Sequence, residues 1–393
     1  MKTVLLEDLC HIQIGKTPSR KISEYWNGEL PWVTISDFVQ GRIITKTKEA
    51  ITQLGAQKSG SKLIPEGTLL LSFKLSLGKR AFAGCDLFTN EAIAALQALD
   101  EEIINKNYLY WALGSLDYDR LVDRAAKGKT LNKAKLKKLQ IPLPPLDEQK
   151  RIAGILDAAD ALRAKRRESI ALLDTLLQST FLDMFGDPVT NPMGWDELAI
   201  ADLCDSPDDV RCGPFGTQLQ QHEFTDSGIP LWGIKHVNAG FSFLTDEFVT
   251  QEKAEKLTNY SIIPGDLVMT RKGTIGNCHI YPSHLEPGIM HSDLLRLRVS
   301  PDKANAQFIS SQFAYSRRIQ RQLELMSPGA VMPGINVTKL KKLLVETPPL
   351  DLQQQFATIV ECVEQQKARQ YSHLIGLDDL SASLQSRAFR GEL

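Results

Sequence analysis

The chain is written twice. Lys135-Leu136-Lys137-Lys138-Leu139 recurs as Lys339-Leu340-Lys341-Lys342-Leu343, Pro144-Pro145-Leu146-Asp147 recurs as Pro348-Pro349-Leu350-Asp351, and Gln149 is answered by Gln353. The shift is the same in every case, so these belong to one long unit. Weaker matches precede them in order. Asp8-Leu9-Cys10 parallels Asp202-Leu203-Cys204, and Pro31-Trp32-Val33 parallels Pro230-Leu231-Trp232. Ile64-Pro65 parallels Ile263-Pro264, and Ser72-Phe73-Lys74-Leu75-Ser76-Leu77-Gly78 parallels Thr270-Arg271-Lys272-Gly273-Thr274-Ile275-Gly276. A period of half the chain is too long for a solenoid. It implies two copies of one domain, related by a pseudo-two-fold axis.

Each copy has two parts. The first is a series of brief apolar or β-branched runs bounded by Pro and Gly, such as Gly67-Thr68-Leu69-Leu70-Leu71-Ser72-Phe73 and Asp266-Leu267-Val268-Met269-Thr270, followed by a helical patch. The second is a long helix. Ile152, Ile155, Leu156, Ala159, Leu162, Ile170, Leu173, Leu176 and Leu177 recur at three-and-four spacing, as do Phe356, Ile359, Val360, Val363, Leu374, Leu377, Leu380 and Leu384. Pro142, Pro144 and Pro145 bar an earlier helix start, and Asp147 is the expected N-cap. A stripe of some 30 residues, about 45 Å, needs a partner; the other copy's helix, running antiparallel, is the expected one, and the alternative is that each stripe packs on its own domain. The fold class is therefore α+β, with two similar globular domains at residues 1–146 and 186–350 and two long, coiled-coil-like helices at 147–185 and 351–393.

Composition narrows function only a little. Of 393 residues, 42% are hydrophobic and 24% charged, which is ordinary for a soluble globular protein. The net charge of −1 hides an asymmetry: the first 150 residues are net basic and the remainder net acidic. Cys10, Cys85, Cys204, Cys212, Cys278 and Cys362 form no Cys-x-x-Cys pair and no zinc spacing with histidine, which points to reduced thiols in a cytoplasmic protein without a bound metal. No apolar run is long enough for a membrane span, and Glu7-Asp8 falls too early for a secretory leader. Catalytic signatures are missing as well. Gly15-Lys16-Thr17 is only the tail of a phosphate-binding loop and is followed at once by Pro18. Asn191-Pro192-Met193-Gly194 is a poor version of a methyltransferase motif, and no nucleophile elbow appears.

The residues resemble a known family. Pro-Pro-Leu-x-x-Gln opening a long helix, at 144–149 and 348–353, is similar to the signature of type I restriction–modification specificity subunits. Met184-Phe185-Gly186-Asp187-Pro188 with Asn191-Pro192 and Gly194-Trp195, the ending Ala388-Phe389-Arg390-Gly391-Glu392-Leu393, and the loops Gly15-Lys16-Thr17-Pro18-Ser19 and Gly213-Pro214-Phe215-Gly216-Thr217 also resemble that family. The resemblance spans the whole chain. It implies a non-catalytic subunit whose two target-recognition domains each read one half of an asymmetric, bipartite double-stranded DNA target. It implies helices that act as a ruler between half-sites, and partners comprising two methyltransferase subunits and motor-nuclease (restriction) subunits. No cofactor is expected on this chain; S-adenosylmethionine, ATP and Mg are expected on the partners. Two alternatives stay open: a stand-alone tandem DNA-binding regulator, and a DNA-modifying enzyme with unrecognised motifs.

Phosphates are met by Lys, Arg and loop backbone, and bases by a few polar side chains. The candidates for DNA contact are Lys16, Thr17, Arg20 and Lys21 in the early loop, and Lys74, Ser76, Lys79 and Arg80 in the loop matched by Arg271, Lys272 and Thr274. Lys127 and Lys129 open a basic run that reads equally as a solvated helix face, and Arg211, Lys235 and His236 complete the set. Trp32 and Trp232 are expected in the core.

Overall fold

The computed structural model describes residues 2–121, 131–273, 276–326 and 334–393. It divides into two compact units, Met1–Arg167 with Ser372–Leu393, and Glu168–Tyr371.

Among the described residues, the first unit holds a five-stranded sheet in the order Cys10–Ile14, Ile93–Ala98, Leu69–Ser72, Arg80–Ala83, Ile43–Ile44. A three-stranded sheet of Glu49–Ile51, Trp26–Val33 and Phe88–Thr89 stands beside it, and Thr3–Leu5 pairs with Gln140–Pro142. Leu69-Leu70-Leu71 explains the layering. Successive side chains on a strand point to opposite faces. Leu69 and Leu71 enter one core with Tyr108, Leu109, Leu136 and Ile152, while Leu70 enters a second core with Val33, Ile44 and Ile93. A strand buried on both faces reads as a continuous apolar run, as this one does.

The second unit repeats the plan. Its main sheet runs Val210–Cys212, Leu294–Leu297, Leu267–Thr270, Cys278–Ile280. Its companion runs Phe248–Val249, Ile229–Trp232, Gly288–Met290, Ser261–Ile262, and Glu197–Ala199 pairs with Leu344–Glu346. Leu267 and Met269 again face one core and Val268 the other. The copies agree in detail. Asn132 caps the short helix Lys133–Lys137 by accepting from Lys135 N at 2.8 Å, and Asn336 caps Val337–Lys341 by accepting from Lys339 N at 2.9 Å. Leu136 and Leu340 are the buried residues of these helices, which explains the repeated Lys-Leu-Lys-Lys. Its lysines are engaged: Lys137 meets Glu7 at 2.8 Å, and Lys341 donates to the Pro207 carbonyl at 2.7 Å.

The long helices run Leu146–Phe185 and Leu350–Arg390. They span 40 and 41 residues, more than the stripe of about 30 read from the apolar spacing, and the second ends at Arg390 rather than Leu393. Asp147 lies in the first turn rather than at the cap, because the Pro145 carbonyl already accepts from Gln149 N at 3.0 Å. Within the first unit Arg163 meets Asp378 at 2.5 Å and Arg151 reaches the Leu393 carbonyl at 2.8 Å, so the two helices run antiparallel there. Within the second unit Asp174 meets Lys367 at 2.8 Å and the Phe181 and Phe356 rings lie 5.6 Å apart, again antiparallel. Leu162 and Leu176 are exposed rather than part of the buried stripe. Ten positions past Ile152, Leu162 sits about 80° around the helix from it. In the first unit the helix is fastened to its domain through Asp157, which accepts from Arg42 and from Trp111 Nε1, each at 2.6 Å.

A buried acid in the second unit gives a pH-dependent stability. Glu346 Oε1 is buried with no hydrogen-bond partner among the described residues. Burial pushes this carboxyl up from 4.5 to about 7, against the opposing charge of Arg318. The folded state holds the proton that the unfolded chain releases. Its contribution is therefore complete below about pH 4.5 and declines through pH 7, by roughly 3 kcal/mol in all. Glu346→Gln is expected to raise the melting temperature by about 5 °C at pH 8 and by much less at pH 5, a difference that thermal melts at the two pH values measure directly.

Candidate nucleic-acid interface

Two loops in each unit bring the candidate residues together, and glycines make this arrangement possible. Gly15 N donates to the Ile93 carbonyl at 3.2 Å and Lys16 N to the Thr89 carbonyl at 2.9 Å. A Cβ on Gly15 would lie 2.2 Å from the Thr89 carbonyl oxygen. In the second unit Gly213 N donates to the Leu294 carbonyl at 3.1 Å, and a Cβ there would lie 2.1 Å from the His291 carbonyl oxygen. Only glycine lets the early loop pass this close to the turn beside it.

The second loop follows the central strand of each main sheet. Phe73 N donates to the Ala92 carbonyl, and Arg271 N to the Asp293 carbonyl, each at 3.0 Å. Leu131 N donates to the Phe73 carbonyl at 2.9 Å, and Ile335 N to the Arg271 carbonyl at 3.0 Å. The backbone is left-handed at Leu75 and Gly78 in one unit and at Gly273 and Gly276 in the other. Lys74 and Lys272 therefore each stand just before the first of two matching left-handed positions.

Acids that the sequence reading passed over sit among these bases. The Thr17 hydroxyl donates to the Glu91 carboxylate. Burial raises the Glu91 pKa, but Thr17 and the charges of Lys74 and Arg20 outweigh it and hold the carboxyl below its usual range. In the second unit Lys272 meets Asp293 at 2.8 Å. Arg20 forms a two-point pair with Glu49, one contact at 2.9 Å, and its guanidinium lies 3.8 Å from the Trp26 ring centroid. Arg271 lies 4.8 Å from the ring of Phe215, an exposed aromatic in the Gly213 loop, and so joins the two loops of that unit. Lys16, Lys21 and Lys79 are exposed, and Lys74 and Ser76 are half-buried.

Two candidates turn into the protein rather than toward solvent. Arg80 turns inward, its guanidinium 4.5 Å from the Tyr110 ring centroid, and its Nε is buried. A Cβ on Gly114 would strike that guanidinium, so the glycine makes room for it. His236 is fully buried beside Trp232, and its Nδ1 accepts from Gly233 N at 3.1 Å. Burial pushes its pKa down, which keeps it neutral at pH 7. Arg211 pairs with Asp208, and Lys235 meets Asp246 at 2.6 Å. Lys127, Lys129 and Thr274 lie outside the described residues. Trp32 and Trp232 are core residues. Among the described residues no helix is long and apolar enough to cross a membrane, and no group of His, Cys, Asp and Glu is placed to hold a metal ion.

Comparison with known proteins bears on the whole chain. Residues 1–172 and 192–370 match the family model of the type I restriction modification DNA specificity domain. The MjaIX type I restriction enzyme specificity subunit of Methanocaldococcus jannaschii is 22% identical over 419 residues, covering 99% of this chain and 92% of that one. The EcoR124I/EcoR124II specificity subunit of Escherichia coli is 31% identical over 159 residues, covering 38% of each. In fold, the chain is similar to the type I restriction-modification S subunit from M. genitalium, with TM-score 0.58, 15% identity, and coverage of 98% of this chain and 95% of that one. It is also similar to a chain from a structure concerned with complex assembly and conformational transition of the type I R-M system, with TM-score 0.60, 17% identity, and coverage of 100% and 98%.

Proposed function

The chain belongs to the family of type I restriction–modification DNA specificity proteins, and on that premise we propose that each of its two units reads one half of a bipartite, asymmetric DNA target. It is the specificity subunit of such a system, and catalysis lies on other subunits. Domains at 1–146 and 186–350 would read the half-sites, and helices at 147–185 and 351–393 would keep a fixed gap between them. The partners are double-stranded DNA, two methyltransferase subunits and the motor-nuclease subunits, assembled in the cytoplasm. S-adenosylmethionine, ATP and Mg belong to those partners.

The observation that carries the reading is the repeated loop. Two units of unlike sequence keep left-handed backbone at two matching positions and the same lysine before the first of them, Lys74 and Lys272. Around that shared frame the side chains differ, as two readers of different half-sites require. Phosphate contacts position a protein without selecting sequence. Lys74→Ala and Lys272→Ala are therefore each expected to weaken binding of the assembled complex while leaving the recognised motif unchanged. Each should also reduce the slope of log K against log salt by about 1. Salt titrations of the complex on its target test this. A lost base preference with an unchanged slope would place these lysines on bases instead.

A further inference from the structure

The loop after the central strand carries a leucine in the first unit where the second carries a glycine. Leu75 and Gly273 share one register: each follows a lysine, and each stands three residues before a left-handed glycine, Gly78 or Gly276. The backbone φ is positive at both, 65° at Leu75 and 74° at Gly273. Ser76 N donates to the Lys74 carbonyl at 2.8 Å, which closes a three-residue turn around Leu75. With positive φ at its centre, this is the rare and strained form of the γ-turn. Glycine takes the conformation freely, as Gly273 does. A leucine there is held against its preference.

Burial is the usual compensation for such strain, and it is missing here. Leu75 is 73% exposed. Its side chain adds little to the core, and the matching position of the second unit has the same positive φ on a glycine, Gly273. Exposed Lys79 and half-buried Lys74 and Ser76 lie beside it. Strained non-glycine backbone concentrates at functional sites. An aliphatic tip cannot exchange hydrogen bonds with a base. What it distinguishes on a base edge is the thymine C5-methyl group, exposed in the major groove.

We infer that Leu75 is a base-contacting residue of the first unit, set against a thymine methyl group while Lys74 and Lys79 take the flanking phosphates. The inference rests on reading these loops as DNA-facing. The second unit, with Gly273, lacks this contact, so a preference for thymine at the corresponding position belongs to the first half-site alone.

The test uses the full chain assembled with its methyltransferase subunits, as wild type, Leu75→Gly and Leu75→Met. The target is first read by sequencing methylated DNA. Binding is then measured on duplexes in which each thymine of the first half-site is replaced in turn by deoxyuridine, which lacks only the methyl group. Wild type and Leu75→Met should lose about fivefold in affinity at one or two of these positions. Leu75→Gly should be indifferent there, should leave the second half-site unchanged, and should melt at the same or a higher temperature. Wild-type affinity and a wild-type deoxyuridine profile for Leu75→Gly would overturn the inference. A wild-type protein that directs no methylation to a two-part motif would sink the loop reading itself, and this inference with it, before any variant is made.

Discussion

Gln149→Leu and Gln353→Leu are each expected to destabilise their own unit by about 3 kcal/mol or more. Both glutamines are fully buried. Gln149 accepts from Asn105 N and donates to the carbonyls of Ile103 and Pro144, all at 2.9 Å. Gln353 accepts from Asn305 N at 2.8 Å and donates to the Pro348 carbonyl at 2.7 Å. Each ties the start of a long helix to the N-cap of the helix that packs on the main sheet. Leucine has similar bulk, so packing is nearly kept. What is lost is the partner of two or three buried backbone groups, each worth about 1–3 kcal/mol when orphaned. Denaturant titration measures the loss, with exposed Lys150→Leu as a control expected to stay within about 0.5 kcal/mol. A loss below about 1 kcal/mol would mean that water or a shifted backbone replaces these bonds.

Phe356→Ala should cost the second unit about 3–5 kcal/mol. Phe181, Phe185, Phe308 and Phe356 are all buried in one core. The Phe185 ring lies 4.7 Å from that of Phe308 and 5.4 Å from that of Phe356, and the latter contact is edge-on. Truncation leaves a cavity walled by rigid aromatics that collapse poorly. Leu380→Ala, on an exposed position of the same helix, should change stability by less than about 0.5 kcal/mol. A loss at Phe356 no larger than that at Leu380 would show that the Phe356 ring adds nothing by packing.

Much of the architecture was legible because repetition and periodicity are local signals. The repeated Pro-Pro-Leu-x-x-Gln marks two helix starts, since proline lacks the N–H that a helix start leaves unpaired anyway. The antiparallel helix pair follows from two long apolar stripes, although Ile152 and Leu156, and Phe356 and Val360, also pack on their own domains. The role of the glutamines was not legible, because Asn105 and Asn305, whose N–H groups they accept from, lie far away in sequence. Side-chain direction was also hidden. Arg80 reads as one more base in a basic loop, yet Tyr110 and Trp111 draw it inward. His236, a weaker candidate that as a lone histidine reads more readily as structural, has its ring buried with Trp232. Glu91 and Asp293 were passed over because a search for phosphate contacts looks for bases. The left-handed backbone at Leu75 was beyond reach for another reason, since nothing in the local sequence demands it until Gly273 is placed beside it.

As a specificity subunit, this chain is expected to aim methylation at one asymmetric, two-part sequence. The most direct measurement is sequencing of methylated adenine in a host that carries the partner methyltransferase subunits, with and without this chain. One bipartite motif is expected, its two halves different and its gap fixed, methylated only when the chain is present. Methylation unchanged by the chain, together with tight and specific DNA binding by the chain alone, would contradict it and favour a stand-alone regulator.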